Sequence, residues 1–206
     1  MKEEIVDNAL KLFMRYGVRS VTMDDIAKEL SISKKTIYQH FADKDEIVSK
    51  SAEIHLNCEM QTMQEVRDQA SNAIEELFIM SKTMRKSFKN LNPAVLHDIK
   101  RFHKEAWKSF QDFKSEYIYN MVVSNLERGI EQGYFRKEID VEILASFRVS
   151  QVELGFSEEI FPRERFDFKE VQNQLFDNFV YGLLTDEGKK LYQEYQLNEV
   201  TYDQIS

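Results

Sequence analysis

Apolar positions in the first fifty residues recur at helical spacing in short bursts separated by polar breaks. Ile5, Ala9, Leu12, Phe13 and Tyr16 fall within an arc of about 100°, the stripe of a helix with one buried face. Gly17 follows directly and can take the left-handed conformation that stops a helix. Thr22 stands before Met23, Ile26, Ala27 and Leu30 as an N-cap, with Asp25 completing a near capping box. Ser31-Ile32-Ser33 breaks the pattern. Ser33 can then cap a second short helix over 34–41, and Asp43 with Glu46 forms a D-x-x-E box opening the next.

Beyond residue 44 the pattern changes to long helices with polar joints. Helices are predicted over 44–67 and 72–89, and Asn92-Pro93 is a start signal. The stretch 93–131 reads as two helices or one bent one, ended by Gly129 and Gly133. Asp140 can cap a helix carrying Ile143, Leu144, Phe147 and Val152. A loop with Pro162 precedes a last long helix over 167–184. Thr185 can cap a short terminal helix ending near Tyr195, with a loose tail after Asn198. The expectation is an all-α chain, with a head at 1–48 and a larger helical body at 49–206.

Composition agrees: 6 Gly and 2 Pro in 206 residues leave few turns for sheets. The single cysteine, Cys58, excludes an internal disulfide framework and fits a reducing, cytoplasmic setting. No apolar run is long enough for a membrane span. The net charge of −8 speaks against a protein that coats nucleic acid, but it is unevenly placed. The first 50 residues balance, nine basic against nine acidic, so the whole deficit lies in the body. Such asymmetry suits two parts with different partners.

The two short helices around a three-residue turn have the form of a helix-turn-helix. Ala27 is small where the second helix must cross, and Ile26, Leu30, Ile32 and Ile37 can lock the pair. On the second helix Ile37 and Phe41 face inward, while Lys35, Thr36 and Gln39 face outward. Lys34, Tyr38 and His40 flank them, and no acid occurs between Glu29 and Asp43. That outward face suits a major groove, with Gln39 able to pair with adenine, Lys35 to reach guanine, and Lys34 or Tyr38 to meet phosphate.

YGVRSVTMDDIAKELSISKKTIYQHFADKDEIV resembles the DNA-binding segment of the tetracycline-repressor (TetR) family. The matching features are LF-x-x-YG at 12–17, T-M-D-D-I-A at 22–27, S-K-x-T-I-Y-x-H-F at 33–41, and Lys44 before Glu46-Ile47-Val48. A further segment at 131–140, E-x-G-Y-F-R-x-E-I-D, is similar to a common family stretch. The departures are Ser31, where the family often has Gly in the turn, and Lys35, where many members have Gly. The resemblance implies that Thr36, Tyr38 and His40 meet DNA, that Lys44 contacts phosphate, and that Thr22 both caps and touches phosphate. With Ser33, Lys34, Lys35 and Gln39, these form the expected DNA-binding set.

The resemblance also implies a body that dimerises and binds a small effector. Independently, the apolar residues of the last long helix sweep an arc of about 220°, wide enough for a core face and a partner face. The expected dimer residues are Phe147, Val152, Leu175, Phe176, Phe179, Val180 and Leu183. The expected pocket for a small, largely apolar effector uses Met84, Phe88, Phe102, His103, Trp107, Phe110, Tyr117 and Phe147. His55, Cys58 and Glu59 share a helix face but lack further ligands, so no metal or other cofactor is expected. No catalytic motif is present either, which argues against an enzyme. The expected function is a homodimeric regulator, a repressor released from palindromic operator DNA by its effector. The alternative is a helical ligand-binding or adaptor protein with a non-functional helix-turn-helix.

Overall fold

The computed structural model describes residues 1–89 and 91–203, with side chains through Asn198. Among them lie eleven α-helices and one π-helical turn: α1 (Lys2–Tyr16), α2 (Met23–Glu29), α3 (Lys34–Tyr38), α4 (Lys44–Gln69), α5 (Ala73–Phe88), α6 (Ala94–Phe102), α7 (Lys104–Asp112), the π turn (Phe113–Ile118), α8 (Tyr119–Glu131), α9 (Val141–Leu154), α10 (Phe168–Leu183) and α11 (Asp186–Asp203). The fold is all-α. Among the described residues no helix is long and apolar enough to cross a membrane.

The chain forms two compact units, Met1–Gln61 with Lys89–Lys114, and Thr62–Phe88 with Ser115–Ser206. The 48/49 boundary read from the sequence falls within α4, which runs through both units.

In the first unit α1 packs on α2, α2 on α3, and α6 on α7. Ile5, Ala9, Phe13, Ile26, Ile37, Phe41 and Ile47 are buried, but of the stripe expected on α1, Leu12 is half-buried and Tyr16, at the end of the helix, is 47% exposed. Gly17 stops α1 at φ +84°, ψ 152°, an extended rather than left-handed helical geometry, while its N–H still bonds Phe13 O at 2.9 Å. The chain at Gly17–Arg19 is fastened to α6. Buried Asp98 accepts the Arg19 N–H at 2.8 Å, and the Asn92 N–H bonds Met14 O at 2.7 Å.

In the second unit α5 is central, packed against α8, α10 and α11, while α9 packs on α8 and α10. The core holds Ile74, Leu77, Leu126, Phe135, Ala145, Phe176, Phe179, Val180, Leu183 and Tyr192. A tight crossing follows α8. Phe135 inserts against Gly129, where a Cβ would stand 2.0 Å from the ring. The Phe135 segment pairs with Leu184 as a single antiparallel bridge. Thr185 fixes it by donating to Gly133 O at 2.9 Å, while accepting the Gly188 N–H as the predicted cap of α11. α11 runs to Asp203, past the expected end at Tyr195, and 204–206 of the expected loose tail lie outside the described residues. Asp140 and Asp167 cap α9 and α10 as predicted, through the N–H groups of Ile143 and of Lys169 and Glu170.

Candidate nucleic-acid interface

The head is built by three local devices. At the start of α2 the Asp25 N–H donates to Thr22 Oγ1 at 3.2 Å, and Asp25 Oδ2 accepts from the Thr22 N–H at 2.8 Å and its hydroxyl at 2.6 Å. Those Thr22 bonds hold the Asp25 carboxyl below its ordinary range. At the end of α2 the Ser31 N–H bonds Lys28 O and the Ile32 N–H bonds Ala27 O, the paired pattern of a Schellman stop. Ser31 therefore takes φ +54° without being glycine, and no other described non-glycine residue has positive φ. Ser33 then caps α3 by accepting the Thr36 N–H at 3.1 Å, and its hydroxyl lies 2.8 Å from the Thr36 hydroxyl.

α3 ends at Tyr38, with Gln39 as C-cap, shorter than the predicted 34–41. Hydrogen bonds from the N–H groups of His40 and Phe41 to Ile37 O continue the turn, so side chains through Phe41 keep near-helical directions. Ile37 and Phe41 are buried, while Lys34, Lys35, Tyr38 and Gln39 are exposed; Tyr38 is 49% exposed. Thr36 and His40 are half-buried. The outward polar face is as the wheel predicts.

Two lysines have partners that periodicity could not supply. Lys34 Nζ lies 3.0 Å from Asp24 Oδ2, and this hydrogen bond lifts its ammonium above the ordinary range. Both groups are exposed, so solvent screens the pair and a phosphate can replace the carboxylate. Lys44 is half-buried and donates to Val18 O at 2.6 Å, tying the start of α4 to the turn between α1 and α2. Burial pushes its ammonium below the ordinary range, against the pull of Asp98 and Asp25. It keeps two further donor positions. The box opening α4 is shifted by one residue: Asp43 accepts the Glu46 N–H at 3.0 Å, but Glu46 reaches back to the Ala42 N–H at 2.8 Å.

The residues expected at a partner face and in a pocket fare differently. Phe176, Phe179, Val180 and Leu183 lie in the core of the second unit, so the wide arc of α10 is consumed within the chain. Burial on two sides by α5 and α9 produces the same arc as a core face plus a partner face. Val152 and Leu175 are half-buried, and Phe147 is 49% exposed on α9 beside Ile143 at 65%. Among the pocket residues, Phe102, His103, Trp107 and Phe110 belong to the first unit, and Met84, Phe88, Tyr117 and Phe147 to the second. In the first unit Trp107 and Phe110 pair at 5.5 Å, His103 binds Asp45, and exposed Phe102 lies under Arg19 and Arg101. In the second, Phe88 packs on Phe156 and Phe168, and Met84 lies against Arg148. The eight expected pocket residues thus divide between the two units, four in each. Sequence reasoning passed over Arg148, Gln151 and Gln172, all buried in the second unit. Their only sequence signal is a polar residue set inside an apolar stretch.

A capped pair of short helices with an acid-free outward face defines a helix-turn-helix DNA-binding head. Residues 5–50 match the family model of bacterial regulatory proteins, tetR family. That match lies within the DNA-binding head. The chain is 26% identical over 147 residues to the HTH-type transcriptional repressor KstR2 of Mycobacterium tuberculosis, covering 70% of this chain and 74% of that one. It is 45% identical over 58 residues to IcaR of Staphylococcus epidermidis, a negative transcriptional regulator of the biofilm operon icaADBC, covering 28% and 30%. In fold it is similar to a transcriptional regulator of Saccharomonospora viridis solved with choline. That match has a TM-score of 0.73 at 17% identity and covers 89% of this chain and 97% of the other.

Proposed function

We propose that the protein is a homodimeric, sequence-specific repressor that leaves its operator when a small effector binds the body. The observation carrying this reading is the acid-free outward face of α3, with Lys35 and Gln39 exposed and Thr36 half-buried, on a helix that Ser33 caps directly after the Schellman stop of α2 at Ser31. Gln39 and Lys35 read bases, while Thr22, Ser33, Lys34, Thr36, Tyr38, His40 and Lys44 position the head on the backbone or support those that do. The head corresponds to 1–48 and the regulatory body to 49–206, and the setting is the cytoplasm.

One helix in one groove reads few base pairs, so two copies are needed, about 34–36 Å apart on a palindromic site. Exposed Ile143 and Phe147, one helical turn apart on α9, support a partner face there, with half-buried Val152 and Leu175 at its margin. Negative regulation is supported by KstR2 and IcaR, and effector control by the choline-bound relative. The effector shifts the population toward a head spacing that no longer fits one turn of duplex. A dimer doubles the −8 charge, which suppresses loose binding to duplex away from the heads.

Selection from a random duplex library tests the reading. An inverted repeat should be enriched and should bind two chains. Enrichment of no sequence would leave the helical adaptor with a non-functional head as the better account.

A further inference from the structure

We infer that Arg148 is the anchor for the acidic group of an amphipathic monocarboxylate bound within the second unit. The inference rests on the effector reading above and names the ligand's chemistry. Arg148 lies in the middle of α9 and is 5% exposed. Its guanidinium stands 5.0 Å from the Phe176 ring and 5.8 Å from that of Phe179. Nη1 is fully buried with no hydrogen-bond partner among the described residues. Nη2 has only the Met84 sulfur, a weak acceptor, at 3.7 Å. No carboxylate among the described residues pairs with it. Burial alone pushes its pKa down to about 10, so it stays charged at neutral pH.

A buried charge without a counterion is strongly unfavourable, and two aromatic faces offset only part of that. Two further buried polar atoms nearby in the helix register are also without partners: Gln151 Oε1, one turn along α9 from Arg148, and Gln172 Nε2, one turn along α10 from Phe176. Arg148 therefore offers an unpaired guanidinium fork beside two aromatic faces.

A carboxylate fits the fork bidentately and neutralises it. A neutral acceptor would leave the charge standing, and a dianion would bring surplus charge to a single cation. The ligand's remainder is apolar, to match Phe176 and Phe179. Met84 is half-buried and unbranched, and it occupies the place an acceptor oxygen would take, so its displacement admits the ligand.

The test uses the intact chain and two matched probe pairs, 4-phenylbutyrate with 4-phenylbutanol and octanoate with octanol. Both acids should raise the melting temperature and the corresponding alcohols should not. Arg148→Met should weaken the acids on the order of 30-fold or more, Arg148→Lys less, with the alcohols still without effect. Acids and alcohols acting alike on the wild type, which requires no variant, would overturn the inference. So would an undiminished acid response in Arg148→Met. Conversion of Arg148→Met to a monomer with its acid response kept would assign the charge to contact between copies, and also overturns it. The selected operator duplex separates the two readings: release by alcohols as well as acids sinks this inference alone, whereas absence of any operator sinks the regulator.

Discussion

Ser31→Gly should stabilise the head. Ser31 closes α2 at φ +54°, where an L side chain crowds its own carbonyl at a cost of about 1–2 kcal/mol. Glycine removes that cost but has greater freedom in the unfolded chain, which returns about 0.5–1 kcal/mol. Both hydrogen bonds of the stop are backbone bonds, from Ser31 to Lys28 and from Ile32 to Ala27, and survive the change. The side chain is exposed, so no packing is lost. The net gain is about 0.5–1 kcal/mol. The Ile32 amide, protected by Ala27 O, reports it locally, and its native-state hydrogen exchange should slow about two- to five-fold. The urea midpoint of the head transition should rise with its slope unchanged. Ser31→Ala keeps the strained backbone and should lie within about 0.5 kcal/mol of wild type. A Ser31→Gly protein no more stable than Ser31→Ala would refute the strain argument.

Gln39→Ala should relax preference at one base pair, at about 1–3 kcal/mol, in a comparison of operator variants; equal loss on every duplex would remove Gln39 as a base reader. Lys44→Ala should weaken binding to all duplexes and lower the salt slope by about one, and should cost about 1 kcal/mol in urea unfolding through the vacated Val18 carbonyl. An unchanged salt slope would make Lys44 a purely structural tie. Gly129→Ala drives a Cβ into the Phe135 ring and should cost about 2–3 kcal/mol in urea unfolding, despite the better helix propensity of alanine. Asp25 has a lowered carboxyl pKa, so its support for the α2 cap is complete above its ordinary value of 3.8 and fades as pH falls through the lower folded value. Thr22→Val should abolish that acid-side loss in hydrogen exchange of the α2 amides.

The head was legible because its determinants are local. Thr22, Ser33 and Asp43 act on N–H groups two or three residues away, and Ile26, Ile37 and Phe41 declare the inward face by period alone. Even there, Lys44 escaped: its Val18 partner lies 26 residues back, brought to it by the packing of three helices. The body was legible as helices and illegible as surfaces. Phe176, Phe179 and Val180 read as candidates for a partner because an apolar arc does not say which neighbour covers it. Only the placement of α10 against both α5 and α9 made them core. The same placement gave Arg148 its significance, since the long side chain of an arginine within a helix is ordinarily able to reach solvent.

By itself, then, the sequence determined the all-α class, the caps, the turn and the outward face of Lys35, Thr36 and Gln39, because helix starts, stops and faces depend on residues within a few positions of one another. Tertiary structure alone decided which apolar faces are consumed, that Lys44 is tied to a carbonyl, and that the Arg148 guanidinium is buried with no counter-charge among the described residues. Burial and pairing are properties of neighbours distant in the chain, and helical periodicity carries no record of them.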